Sequence, residues 1–329
     1  MNVLVTGAAG YVGSFVAHGL VSAGHEVIAL DNLVEGSGQA LPEPCTFIEA
    51  DVADTENLDR VFSTHSIDAV VHLAGFTLIP PSLKDPLGCF EMNVGATLGL
   101  LRSMATHGVS RMLFSSSAAV YGMPTEVPLP ETHQLEPENP YGRSKLMIEQ
   151  LLAWCLEAYG IRSVSFRYFN VAGAIDGLGE SRIVETHLLP LLFSSATGQT
   201  PPIKIFGNDY PTHDGTPVRD YIHALDIADA HVRALAWLDS NEACEIFNLG
   251  SGRSYSVLDI LRSVESVTEK DVPHEFAARR LGDPAVLTAD ITKAQTELGW
   301  SPDHSSVDEV VGSTWEWLKS HPHGFREAD

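Results

Sequence analysis

Positive charge is scarce in this chain: 20 Lys and Arg stand against 43 Asp and Glu, for a formal net charge of −23. Such an excess repels phosphate backbones and anionic lipid surfaces at long range, so neither nucleic acid nor a membrane is an expected partner. An anionic small molecule must instead meet a local cluster of cations. Cysteine is also sparse. Cys45, Cys89, Cys155 and Cys244 lie at least 44 residues apart, which excludes a close-spaced zinc pattern or a recognisable disulfide framework and predicts reduced thiols. No apolar run reaches the roughly 18 residues that a membrane span needs. The start, Met1-Asn2 leading straight into an apolar strand, has no basic leader, so a cytoplasmic location is expected. The 14 histidines are scattered, and His321-Pro322-His323 reads as a solvated tail, so no metal requirement is expected.

What the chain does have is 44% apolar residues over 329 positions, enough for one large α/β domain and a smaller appendage. Short Val- and Ile-rich runs at 2–6, 27–30, 46–49, 69–73, 111–115 and 164–169 alternate with helix-length segments. Helices are predicted over 11–23, about 87–107 and 141–159, stopped by Gly24, Gly108 and Gly160. That alternation predicts a doubly wound parallel sheet of the Rossmann type. Turn-rich stretches at 173–179 and 207–216 then interrupt it, before a helix-like 226–238 and a strand-like 245–249 return to the sheet. The expected division is a dinucleotide-binding domain of residues 1–170 plus about 219–250, and a smaller mixed α/β substrate lobe of about 171–218 plus 251–329.

Strand 2–6 runs into Gly7-Ala8-Ala9-Gly10-Tyr11-Val12-Gly13, a glycine turn from strand to helix that lets backbone N–H groups approach a diphosphate. The spacing is G-x-x-G-x-x-G. Asp31, 18 residues beyond Gly13 at the end of the second strand, is placed to accept hydrogen bonds from ribose hydroxyls. No Lys or Arg occurs in the first 59 residues to hold a 2′-phosphate, so NAD and not NADP is the expected cofactor.

Asn139-Pro140-Tyr141 opens a helix, and Lys145, four residues on, shares the face of Tyr141. To act as a base near neutrality a phenol must lose roughly three pKa units, about 4 kcal/mol. A unit charge ~4 Å away at an effective dielectric of 20 supplies about that much. Lys145 and the positive nicotinamide ring both qualify, so Tyr141 is expected to become a base only beside the oxidised cofactor. The run Ser115-Ser116-Ser117 ends the fifth strand, where ligands of open α/β sheets gather, and one of its hydroxyls can bridge a substrate oxygen and Tyr141.

With these motifs the chain resembles the extended short-chain dehydrogenase/reductase superfamily, and within it the UDP-galactose 4-epimerases. The resemblance spans nearly the whole chain. It is carried above all by IFGNDYPTHDGTPVRDYIHALDIADAH at 205–231, with LVTGAAGYVGS at 4–14, FSSSAAVYG at 114–122, PYGRSK at 140–145 and RYFNVAGA at 167–174. It implies Tyr141 as base, Lys145 as its electrostatic partner and Ser117 as the hydroxyl on the sugar 4-oxygen. NAD would rest on Gly7, Gly10, Tyr11, Val12, Gly13, Asp31, Asn32, Asp51, Val52, Leu73, Ala74 and Tyr168, beside Tyr141 and Lys145. The UDP-sugar would meet Asn170, His187, Leu188, Phe206, Arg219, Arg280 and Asp283, with Leu287 beside the sugar C2 substituent. A homodimer is implied as well.

Two positions depart from patterns seen in the family: Thr77 stands where some members have lysine, and His187 where others have asparagine. The implied reaction is redox-neutral inversion at C4 of UDP-galactose or UDP-glucose through a 4-keto sugar. Related NAD-dependent epimerases of UDP-N-acetylhexosamines, pentoses or uronic acids are the alternatives. A nucleotide-sugar dehydratase needs an acid and a base after the strand-five motif, where this chain has Ala118 and Ala119. A non-catalytic NAD-sensing or scaffold protein would have no need of Tyr141, Lys145 and Ser117 together.

Overall fold

The computed structural model describes residues 1–182, 185–280 and 282–325. The other seven positions, including 326–329 of the expected second lobe, lie outside the described residues. In chain order the strands are β1 (Asn2–Thr6), β2 (Glu26–Asp31), β3 (Thr46–Glu49), β4 (Ala69–His72), β5 (Arg111–Ser117), β6 (Arg162–Tyr168), β7 (Asn170–Ala172), β8 (Ile203–Phe206), β9 (Val218–His223), β10 (Cys244–Leu249), β11 (Ser254–Ser256), β12 (His274–Ala277) and β13 (Val286–Leu287). The α-helices are α1 (Tyr11–Ser22), α2 (Thr55–Thr64), α3 (Ile79–Lys84), α4 (Pro86–Phe90), α5 (Ala96–His107), α6 (Pro140–Tyr159), α7 (Leu188–Ala196), α8 (Ala224–Ser240), α9 (Val257–Thr268), α10 (Thr292–Leu298) and α11 (Val307–Ser320).

Seven strands form one parallel sheet in the order β10-β6-β5-β4-β1-β2-β3. Val3, Leu4 and Val5 are fully buried, as strands covered on both faces must be. One face packs against α1 and α8, where Gly19 lets the helices close to the point that a Cβ on it would stand 3.2 Å from Ala228 Cβ. The other face packs against α2, α5 and α6. The strand order reverses between β1 and β4, the switch point at which open α/β sheets bind ligands beyond their strand ends.

Local chemistry sets the helices that flank this point. Asn139 caps α6 by accepting from Gly142 N at 2.9 Å, with Pro140 at its first position. The run predicted over 87–107 is helical, but it carries one π turn at Glu91–Gly95 that swings Asn93 into the protein. Between β3 and β4, where the sequence reading named no helix, Leu58, Val61 and Phe62 form the buried stripe of α2. Asp54 caps α2 through Glu56 N and Asn57 N.

The smaller lobe holds β9 flanked by β7, β11 and β13, a two-stranded β8–β12 pair, and an apolar core shared by α7, α9 and α11. β9, which the sequence reading did not pick out as a strand, pairs in the small sheet and not in the large one. α8 and β10 do return. Alternation alone gives no partner for a strand.

Candidate active site

A cleft of about 1750 Å³ opens at the C-terminal ends of β1, β4 and β5 and extends to the small lobe. At one end lies the glycine turn. Gly7 has φ +72°, and a Cβ there would stand 2.5 Å from Ala74 N; a Cβ on Gly13 would stand 1.9 Å from Gly7 O. No side chain caps α1 at Gly10, so the helix presents bare backbone N–H groups to the cleft. Gly10, Tyr11, Val12, Leu73 and Ala74 line this end with them.

Asp31 ends β2, accepts from Ala9 N at 3.0 Å and Leu33 N at 2.8 Å, and keeps lone pairs for further donors. Burial raises its carboxyl pKa, and the surrounding backbone N–H groups act against that. Asn32 donates to Asp51 at 2.9 Å, and Val52 completes the wall. Bare helix N–H groups, glycine-lined space and an acceptor near a ribose-sized gap fit a dinucleotide. Tyr168, from the end of β6, faces the same space. Its hydroxyl donates to His231 Nε2 at 2.9 Å, because His231 Nδ1 is committed to Ile227 O at 2.8 Å.

Tyr141 sits in the first turn of α6 and borders the cleft; Lys145, one turn on, lies behind it and is 2% exposed. Its Nζ donates to Ser115 O at 2.7 Å and lies 5.8 Å from the centroid of the Tyr141 ring. Burial lowers the Lys145 pKa to about 8. Burial also raises the Tyr141 phenol, with the Ser117 hydroxyl and the Arg182 charge pulling the other way. The depressed phenol is expected only beside the oxidised cofactor, and in the protein by itself burial dominates. Desolvation outweighs the neighbouring charges until a further positive group arrives.

Asn170, His187, Leu188, Arg219, Arg280, Asp283 and Leu287 border the opposite end. Arg219 pairs with Asp283, and Leu287 lies opposite Arg219 in register. Phe206 stands back from the cleft, where its ring supports the Arg280 guanidinium at 4.1 Å. His187 precedes α7 with Nδ1 between Glu180 at 3.1 Å and Glu185 at 2.9 Å. Burial opposes its charge, but the two carboxylates more than offset this and hold its pKa at about 9.

Several site residues carry no local sequence signal. Asn93 accepts from Phe76 N at 2.7 Å and donates to Ser144 Oγ at 2.8 Å, tying the loop after β4 to the turn between Tyr141 and Lys145. Behind it, His72 links Thr6 at 2.7 Å to Thr97 at 2.9 Å, and burial followed by the Lys145 charge keeps it neutral with a pKa of about 3. Glu180 and Arg182 come from a turn-rich stretch.

Residues 3–250 match the NAD dependent epimerase/dehydratase family. The chain is 43% identical to the UDP-glucose 4-epimerase of Lacticaseibacillus casei, over 99% of each, and 45% identical to that of Halalkalibacterium halodurans, over 99% of this chain and 98% of the other. It is similar to the crystal structure of the Bifidobacterium longum UDP-glucose 4-epimerase in complex with NAD+ and UDP, with a TM-score of 0.93, 35% identity and coverage of 99% and 100%. This chain belongs to the NAD dependent epimerase/dehydratase family, among its UDP-glucose 4-epimerases.

Proposed function

We propose that this chain interconverts UDP-galactose and UDP-glucose, with Tyr141 as the group that takes and returns the 4-hydroxyl proton. The observation that carries the reading is one continuous cleft with a glycine-turn dinucleotide site at one end, two arginines for a diphosphate at the other, and the Tyr141 phenol between. Bound NAD supplies the acceptor and donor for the C4 hydride. Tyr141 Oη takes the proton from the sugar 4-hydroxyl while the Ser117 hydroxyl hydrogen-bonds the same oxygen. Arg219 and Arg280 hold the UDP diphosphate while the 4-keto sugar turns over, so the same phenol serves both faces. His187, cationic at neutral pH, adds to that anchor. Purified chain given UDP-galactose without added NAD is expected to form UDP-glucose. Failure to form it even with NAD supplied would overturn the reading.

The finer assignments follow from the same site. Residues 1–170 with α8 and β10 serve the cofactor, and about 171–218 with 251–329 serve the UDP-sugar, with β9 as the seam between them. A homodimer is supported by Leu87, Leu98, Met147 and Trp154, which leave α4, α5 and α6 with exposed apolar side chains. Light scattering at the mass of one chain would refute it. No described helix is long and apolar enough to cross a membrane.

Removing the ammonium behind Tyr141 withdraws positive charge from the phenolate, so the phenol pKa rises. Lys145→Met is therefore expected to move the activity optimum to higher pH. A pH–rate profile that keeps its position would remove the electrostatic role of Lys145.

Leu287 bears on which hexose fits. It borders the cleft while packing against the cluster of Ala118, Val120 and Leu129. An acetamido group at the sugar C2 would be crowded there and its amide left without a partner, a loss of about 1–3 kcal/mol. UDP-galactose is expected to be preferred over UDP-N-acetylgalactosamine by roughly 10- to 100-fold in kcat/KM, with Leu287→Ser narrowing the gap. Equal kcat/KM for the two substrates would remove Leu287 as the gatekeeper.

A further inference from the structure

The cofactor end of the cleft has an electrostatic gap. A dinucleotide brings two phosphate charges to a glycine turn that offers only backbone N–H groups, and the first 59 residues hold no Lys or Arg. Among the described residues, three arginines border the cleft: Arg182, Arg219 and Arg280. Arg219 is paired with Asp283 and Arg280 stacks on Phe206, both in the small lobe. Arg182 differs. Its Nη1 donates to Thr77 Oγ1 at 3.2 Å, in the loop after β4 that begins beside Gly7 and Ala74.

The guanidinium is aimed and not merely nearby. Its Nε is held by Glu180 Oε1 at 2.8 Å, and its side chain is 18% exposed. The flanking residues are pinned from behind: Trp317 Nε1 donates to Glu180 O at 3.0 Å, and Phe325 N donates to Ser181 Oγ at 3.0 Å. Gly179 is required there, because a Cβ would stand 2.5 Å from the Trp317 ring. The strap thus delivers one cation from the substrate side across to the Rossmann side. The surrounding cluster is balanced, since His187 is cationic and shares Glu180 and Glu185. Burial raises the phenols of both Tyr11 and Tyr141, and the charge of Arg182 acts against it at both, so the guanidinium lies within electrostatic reach of each.

We propose that Arg182 is the cation that engages the diphosphate of NAD, reaching it from the segment 174–182 because, among the described residues that line the glycine-turn end of the cleft, with Thr77 at this point, none is a Lys or Arg. The assignment rests on the NAD-dependent reading above. It makes cofactor retention depend on the substrate lobe. Charge-assisted hydrogen bonds to phosphate are among the strongest a side chain makes, and Arg matches their geometry better than Lys.

The test is titration of the full chain, freed of cofactor, with NAD, ADP-ribose, adenosine and UDP. Arg182→Gln is expected to weaken NAD and ADP-ribose by about tenfold or more, to leave adenosine and UDP near their original affinities, and to flatten the salt dependence of NAD binding. Arg182→Lys should recover part of the loss. Thr77→Ala, which removes the tie but keeps the charge, should bind NAD close to normally. NAD affinity unchanged in Arg182→Gln would overturn the proposal, as would an equal loss for adenosine, which marks a structural role, or a loss confined to UDP. If the unaltered chain itself bound no NAD, the functional reading would fall instead.

Discussion

Tyr141→Phe is expected to lower turnover by at least about 10²-fold while NAD and UDP bind as before. The substitution removes one oxygen from the first turn of α6 and leaves the ring, the Asn139 cap and the Lys145 anchor on Ser115 in place. Among the described residues bordering the cleft near Tyr141, the hydroxyls of Ser115, Ser116 and Ser117 are far too weakly acidic for a base, and the Tyr168 hydroxyl is committed to His231. The phenol itself starts at a disadvantage, because burial raises its pKa. The compensating charge must therefore come from the oxidised cofactor together with Lys145, which couples proton removal to the presence of the hydride acceptor. A base that works only when the acceptor is seated protects a buried site from idle ionisation. Since the phenol acts on the reacting oxygen and not on the nucleotide, kcat and kcat/KM should fall together. Turnover near normal in Tyr141→Phe, measured by conversion of UDP-galactose, would place the base elsewhere.

The parts of this site that were legible in sequence are those set by local spacing. A spacing of four from Tyr141 to Lys145 puts both on one face of α6, and the glycine turn with Asp31 at the end of β2 follows from strand–turn–helix order. The seven parallel strands follow from alternating apolar runs and turn signals. Asn93 was not legible, since its role depends on a π turn and on partners at Phe76 and Ser144, 17 and 51 residues away. Arg182 lies 105 residues from Thr77 in a stretch with no periodicity. β9 was not legible as a strand, since VRDYIH at 218–223 is no apolar run of the kind that marks the large-sheet strands. Phe206 is implied at the ligand by resemblance, and its further contact with Arg280, where an aromatic face steadies a guanidinium, had no signal in the sequence. Motifs announce the reacting groups, and long-range packing decides what holds and charges them.

That division is sharpest at Arg167 and Glu149, to which the sequence reading gave no role and on which the frame of the site depends. Their side chains are 1% and 3% exposed and joined twice, Nη2 to Oε2 at 2.7 Å and Nε to Oε1 at 3.0 Å. Glu149 also accepts from Ser116 Oγ at 2.5 Å, and Arg167 donates to Glu131 O at 3.0 Å beneath the Tyr121 ring. One pair thus ties β5, α6 and β6 just behind Ser115, Ser117 and Tyr141. Burial works against the guanidinium charge, but Glu149 more than offsets this and pushes its pKa upward. Removing one partner strands the other charge in the core, so Arg167→Met is expected to cost about 3–5 kcal/mol of stability. Replacing both, Arg167→Met with Glu149→Leu, removes the stranded charge and should restore much of the loss. Denaturant unfolding of the single and double variants measures both. A cost below about 1 kcal/mol for the single variant, the range of an exposed pair, would mean that water reaches this site and that the pair does not hold the three elements together.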